Sequence, residues 1–371
     1  MAEQPLFNDF DSVSKSVWRE KVEKDLKGAT YDEKLRFRRA DGYELEGLYH
    51  AEEKSGWQTV EHTLRNDTLN REQPALGARN WDNQPLIRLE ENHESALNEH
   101  ALEALQNGAD GLLLDLRDCA QPPRWERMLK SILLPHCRIS FWFPDSVTAA
   151  EWFQTFVQYV ETVGIAPAEV RGSLLGIHAA QYAELQALAA PFVQLRTPVV
   201  ELPNDATPAD QIVAALQELV RLADAHTPTE VWQRVGFFVP LGHDYFESIA
   251  KLRALRFLLI QLGQLYELEE RIPLHAYTHH AAVSLPDADT HFLISNTTQA
   301  MAGILGGATA LTVLPHQKDR TFAHRIARNV SSMLREEAYL EKVADPVAGA
   351  YYIEKHTDAL ARAAWEQFRK A

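Results

Sequence analysis

Histidine is the side chain with most to offer near neutral pH, and 15 are present. His275, His279 and His280 fall close together, and imidazoles at that spacing could ligate a transition metal if the segment were helical. However, Tyr277-Thr278 reads as strand running into loop, and no carboxylate follows until Asp287. A polar rim or a partner contact is the stronger reading, and no metal is expected. His243-Asp244-Tyr245 precedes a helical pattern, where a helix N-terminus favours an anion, with Asp244 as the expected N-cap. Asp115 and Arg196 lie near the ends of apolar runs. Together Asp115, Arg196, His243, His275 and His279 make a candidate ligand pocket.

Other chemistry is not signalled. Gly303, Gly306 and Gly307 end a helical stretch and precede a strand, the reverse of a strand-to-helix phosphate cradle. They read as a helix C-cap with a close approach of helix to strand. There is no serine nucleophile elbow, no metalloprotease helix and no paired zinc cysteines. No residue is assigned a catalytic role on this evidence.

The elements that would position these residues alternate. Strand-type runs occur at 85–90, 111–116, 138–143, 171–175, 192–197, 235–241, 273–277 and 308–314, with helical patterns between them such as 94–106, 149–163, 208–225 and 245–266. Repeated βα units imply parallel strands, and eight of them predict a (β/α)8 barrel, a doubly wound sheet being the alternative. The predicted barrel spans residues 81–371, with the candidate pocket at its mouth. Residues 1–80 are expected to form a subunit-contact extension: an amphipathic helix from Asp11 to Gly28, a hairpin around Ala40-Asp41-Gly42, and an extended crossing over 50–80.

Composition narrows the class. With 371 residues, 46% of them hydrophobic, the chain can bury a large core. No apolar run reaches membrane-span length, and Met1–Ser12 has neither a basic start nor an apolar core. Only Cys119 and Cys137 are present, too few for a disulfide framework. A cytoplasmic location is expected, with no membrane partner. A net charge of −15 argues against nucleic acid, although a local cationic pocket could still take a phosphorylated ligand.

The C-terminal quarter carries a more specific pattern. Asn296-Thr297-Thr298-Gln299-Ala300, Leu305-Gly306-Gly307-Ala308 and Leu311-Thr312-Val313-Leu314-Pro315 precede Arg325-Ile326-Ala327-Arg328-Asn329 and the block from Asp345-Pro346-Val347 to Glu354. In order and spacing these resemble the methylmalonyl-CoA mutase family, as do Phe246–Ala254, Trp18, Asp25–Gly28 and Leu48-Tyr49 upstream. The resemblance implies a (β/α)8 barrel. It also implies an assembly in which adenosylcobalamin supplies a radical that rearranges methylmalonyl-CoA to succinyl-CoA. In that family a C-terminal domain holds cobalamin through an Asp-x-His-x-x-Gly loop. The nearest match here is Asp289-Thr290-His291, with Ile294 in place of the glycine. No cobalamin-binding domain is therefore expected within these residues, and no cofactor on this chain alone.

Two reactive-site features of active family barrels are also missing: a tyrosine after the first-strand Trp81, which is followed by Asp82-Asn83-Gln84-Pro85, and a histidine after the fifth strand, where Val199–Ala206 stands. Ser295 and Ala350 replace a usual arginine and serine. These departures fit the small, non-catalytic subunit that pairs with a large catalytic chain, with a homodimer open to the isolated chain. The alternatives are a barrel active with a separate cobalamin-binding chain, or a repurposed acyl-CoA-binding or regulatory barrel.

Overall fold

The computed structural model describes residues 13–69, 80–90, 93–144, 149–177, 181–279, 288–316 and 321–371. Helix α1 (Lys15–Asp25) starts at Ser14, whose hydroxyl accepts from the Val17 amide, and α2 (Tyr31–Leu35) starts with a capping box between Thr30 and Glu33. Strands β1 (Arg36–Arg38) and β2 (Glu44–Glu46) form the expected hairpin. The next segment departs from expectation. Instead of an extended crossing, a short 3₁₀ turn at Ala51–Gly56 leads into helix α3 (Gln58–Leu69). Trp57, Val60 and Leu64 are buried at helical spacing, a stripe that the polar residues between them concealed.

Eight strand positions then follow. The first is split into β3 (Asp82–Asn83) and β4 (Leu86–Arg88), and β5 (Gly111–Asp115), β6 (Arg138–Trp142) and β7 (Gly172–Leu175) come next. The fifth is split into β8 (Leu195–Arg196) and β9 (Val199–Glu201) at the cis peptide Thr197-Pro198, and β10 (Gly236–Leu241), β11 (Leu274–Thr278) and β12 (Ala310–Thr312) complete the set. Two parallel sheets result, ordered β4-β5-β6-β7-β8 and β9-β10-β11-β12-β3. Because β3 with β4 and β8 with β9 are consecutive pieces of two continuous segments, the order runs through eight positions and returns to its start. The fold is a (β/α)8 barrel.

Helices α4 (Glu94–Gln106), α5 (Trp125–Met128), α6 (Ala149–Val163), α7 (Tyr182–Ala189), α8 (Pro208–Ala225), α9 (Pro228–Arg234), α10 (Tyr245–Leu265) and α11 (Ala288–Leu305) return the chain between strands. Helix α6 shows why they form there: Ala149, Trp152, Phe153, Phe156 and Val160 recur at three- and four-residue steps and are all buried. Helix α8 begins at Thr207, whose side chain accepts from the Asp210 amide, with Pro208 in its first turn. Two helices follow, α12 (Thr321–Glu336) and α13 (Tyr351–Phe368), and α13 begins inside the 345–354 block. One apolar cluster packs helices against the first half of the ring, a second against the other half, and a third fills the centre.

Helix α10 is buried on nearly every side, charged residues included. Arg253 bridges Asp345 at 2.5 Å and Glu354 at 2.8 Å, and Glu354 also accepts from the Gly349 amide at 3.1 Å. This clasp ties the segment between α12 and α13 to the barrel wall. Removing one partner of a buried ion pair strands the others, so Arg253→Met should cost about 3–5 kcal/mol. Urea denaturation followed by circular dichroism measures this, and an unchanged midpoint would show that the clasp is not stabilising.

Candidate functional site

Functional side chains in a barrel gather at the C-terminal ends of the strands. There Asp115, fully buried at the end of β5, accepts from Arg88 Nε at 3.0 Å and from Arg117 Nε and Nη2, both at 2.9 Å. Burial alone would raise the Asp115 pKa, but hydrogen bonds from Arg117 and the charges of Arg117 and Arg88 hold it below the usual carboxylate range. The Arg117 guanidinium lies 3.5 Å from the centre of the Trp142 ring. Trp142 meets Phe238 edge to face at 5.2 Å, and Phe238 stacks on Tyr277 at 4.1 Å. The Tyr277 hydroxyl donates to Asn204 Oδ1 at 2.6 Å, which fixes the loop after β9. The result is a continuous plug across the barrel from an ion cluster through three aromatic rings.

On the opposite side of the rim, His243 Nδ1 lies 3.3 Å from Ser295 Oγ. Gln299 accepts from the His279 amide at 2.8 Å and donates to the His279 carbonyl at 3.1 Å and to Ser295 Oγ at 2.9 Å. Asp244 caps α10 by accepting from the Glu247 amide, as its position implied, and also pairs with Arg39 of the N-terminal hairpin at 2.7 Å. Asp115, His243 and His279 thus stand at the C-terminal end.

Arg196 and His275 do not join them. Strand five continues past Pro198 to Glu201, which leaves Arg196 in its first half, and His275 is the second residue of β11. Both line a cavity at the N-terminal end of the barrel, and the five candidates divide between the two ends. His275 Nε2 lies 2.8 Å from Thr312 Oγ1, which itself donates to the Gln84 carbonyl at 2.6 Å. His280 and Asp287 lie outside the described residues. Among the described residues no group of three histidine, cysteine, aspartate or glutamate side chains is placed to hold a metal ion.

The motif residues serve the framework. Asn296 donates to the Leu314 carbonyl at 2.9 Å. At Gly306 a Cβ would lie 2.8 Å from the Leu252 side chain, and Gly307 takes φ +94° as α11 ends, so the glycines act as the close approach and C-cap anticipated for them. Trp81 Nε1 donates to Ser331 Oγ at 2.9 Å, fastening α12 over the start of strand one. The segment after Trp81 therefore lies at the N-terminal end, and the rim end of that strand carries Arg88, Leu89 and Glu90. His291 is an exposed residue inside α11, so it stands on a helix and not on the loop that a lower cobalt ligand requires. The described residues do not fit cobalamin. Sequence reasoning missed Arg88, Arg117 and Trp142 because each is unremarkable alone and only the strand register brings them together.

Comparison with known proteins gives this arrangement a context. The sequence profile of the family described as Methylmalonyl-CoA mutase matches residues 221–371. Over 98% of its length the chain is 30% identical to the methylmalonyl-CoA mutase small subunit of Porphyromonas gingivalis and 27% identical to that of Propionibacterium freudenreichii subsp. shermanii. Nearly the whole chain is therefore similar to members of the methylmalonyl-CoA mutase family. It spans 64% and 63% of the length of those two small subunits. To the methylmalonyl-CoA mutase of Rhizobium meliloti it is 37% identical, but over 36% of this chain and 20% of that protein.

Two buried histidines set a pH dependence. Burial pushes His275 down to about 3, and burial with the nearby Arg39 charge pushes His356, which contacts the Tyr43 hydroxyl at 2.8 Å, down to about 4. An unfolded histidine titrates near 6.5, so unfolding takes up protons below that value. The stability gained by keeping both rings neutral is present above about pH 6.5 and is lost as pH falls toward their folded values. The urea midpoint should decline between about pH 7 and about pH 4.5. His356→Gln should flatten part of that decline, whereas an unaltered slope would show that His356 contributes none of it.

Proposed function

We propose that the chain is the barrel portion of a small, non-catalytic subunit in a methylmalonyl-CoA mutase-type assembly, a partner that the large chain needs for structure and not for chemistry. The observation that carries this reading is the plugged mouth. Asp115, the one fully buried carboxylate among the five candidates, is neutralised by two arginines, and Trp142, Phe238 and Tyr277 fill the centre of the ring beneath it. Similarity to small subunits along nearly the whole chain points the same way. So does sequence at the rim: no tyrosine stands between Leu86 and His93, and no histidine between Val199 and Asp210.

The family's chemistry depends on cobalamin, which supplies the radical when bound, and the proposal places that cofactor and the acyl-CoA on the large partner. The assembly would isomerise methylmalonyl-CoA to succinyl-CoA in the cytoplasm. No helix among the described residues is long and apolar enough to cross a membrane. The N-terminal extension supplies surface for the partner: Val13 and Val17 are more than half exposed, and Phe37 nearly so.

Co-purification with a separately expressed large subunit, analysed by size-exclusion chromatography with light scattering, should give a one-to-one complex. Calorimetry on the chain alone with methylmalonyl-CoA should give no heat of binding. Failure to form the complex, or binding of the ester to the isolated chain, would replace this reading with that of an acyl-CoA-binding barrel.

A further inference from the structure

The cavity at the N-terminal end of the barrel has a volume of about 230 Å³, and Gln84, Arg138, Ser173, Arg196, His275 and Thr309 are among its lining residues. Its charge is not balanced. Arg138 pairs with Asp82 at 2.6 Å. Arg196 instead donates to the carbonyl of Gln233, and among the described residues no carboxylate meets it. Beside it Arg234 donates to the main-chain carbonyls of Ala189, Ala190 and Phe192. Arg196 therefore sits in a recess with Arg138 and Arg234 as like charges around it, and burial together with those charges lowers its pKa.

A guanidinium partly withdrawn from water without a counter-ion is unfavourable, and all the more notable in a chain whose net charge is −15. The alternation of β7 and β8 turns Ser173 and Arg196 toward the inside, where they are direct partners in the parallel register. His275 is neutral at pH 7 and carries one ring N–H, so it adds polarity without a second full charge. Further along the axis Leu86, Leu113, Val199 and Phe238 fill the ring. An occupant of the recess must be small, and a volume of about 230 Å³ exceeds the roughly 30 Å³ share of one water several-fold.

We propose that this recess is a binding site for a small oxyanion, a carboxylate or phosphate group, held by the guanidinium groups of Arg196 and Arg138 with Ser173 as a hydroxyl partner. Planar guanidinium donors match the paired oxygens of such groups. The site is separate from the C-terminal rim and independent of whether the chain pairs with a catalytic subunit.

The test titrates the 371-residue chain with inorganic phosphate and, in a second arm, with acetate, at constant ionic strength in chloride, following calorimetric heat and thermal midpoint. Saturable binding with a raised midpoint is expected in at least one arm, and the arm that binds identifies the group. Arg196→Gln should weaken that binding roughly tenfold or more. Arg221→Gln, on the outer face of α8, should leave it intact. Ser173→Asp places a carboxylate of the chain's own opposite Arg196, and should abolish anion binding while raising the anion-free midpoint. No binding in either arm overturns the proposal, as does full-strength binding by Arg196→Gln. If Arg196→Gln does not fold, Ser173→Asp decides: anion binding as in the natural chain overturns the site, and its loss with a raised midpoint supports it.

Discussion

A ring of eight parallel strands encloses a volume that must be filled, and most of what distinguishes this barrel follows from how it is filled. Each strand turns alternate side chains inward, so the centre is built in layers whose chemistry is set by position along the strand. The middle layer draws on Leu86, Leu113, Trp142, Leu175, Val199, Phe238 and Tyr277, one from each of seven strand positions, with Leu314 packed against them. Removing these surfaces from water is the main stabilising term for the ring. The same packing leaves the axis without a passage. Filling and function compete for one volume, and here filling has taken the C-terminal half.

The outer wall obeys a complementary constraint. Helix α10 lies between α8, α11 and α13 with little access to water, so its charged residues cannot be solvated and must be satisfied from within. Lys251 bonds to Gln211 Oε1 at 2.6 Å and to the Pro240 carbonyl, Arg256 reaches the Ile272 carbonyl, and Arg253 takes the two carboxylates of the clasp. These bonds give direction to a helix that apolar packing alone would hold in any rotation. The helix in turn sets Asp244 at its N-terminus against Arg39, which connects the N-terminal hairpin to the barrel.

How much of this was legible in the sequence depended on the range of the interaction. Alternation of strand and helix patterns located all eight strand positions, because a buried parallel strand such as Gly111–Asp115 is apolar throughout and is bounded by helices. Helices α4, α6 and α8 fell at the expected residues for the same local reason. Strand five did not, since a proline reads as an end to a strand and the chain instead resumes its ladder at Val199. That shift put Arg196 on the wrong end of the barrel in the sequence reading. His275 was misplaced for a simpler reason: it is the second residue of β11, which runs on to Thr278, so its side chain lies far from the rim. Helix α3 was missed because its buried stripe is only three residues wide. The plug was illegible for a different reason: Arg88, Asp115, Arg117 and Trp142 are separated by up to 54 positions, and only the register of β4, β5 and β6 makes them neighbours.

The two ends of the barrel therefore differ in electrostatic completeness and not only in shape. At the C-terminal end the carboxylate of Asp115 and two guanidinium groups leave one positive charge, part of it spread over the Trp142 ring and part directed to Asp118, which Arg88 reaches at 3.1 Å. Each charged side chain in that cluster is paired with a charge of opposite sign, so the cluster has little to gain from a ligand. At the N-terminal end Arg196 and Arg234 are met by carbonyl dipoles alone among the described residues. Carbonyl oxygens satisfy hydrogen-bonding capacity but supply only partial charge, so they lessen the desolvation penalty of a guanidinium without cancelling its field. An enclosed field of one sign attracts a counter-charge more strongly as the surrounding dielectric falls. The end of the barrel usually associated with stability is, in this chain, the one whose charges remain open to a ligand.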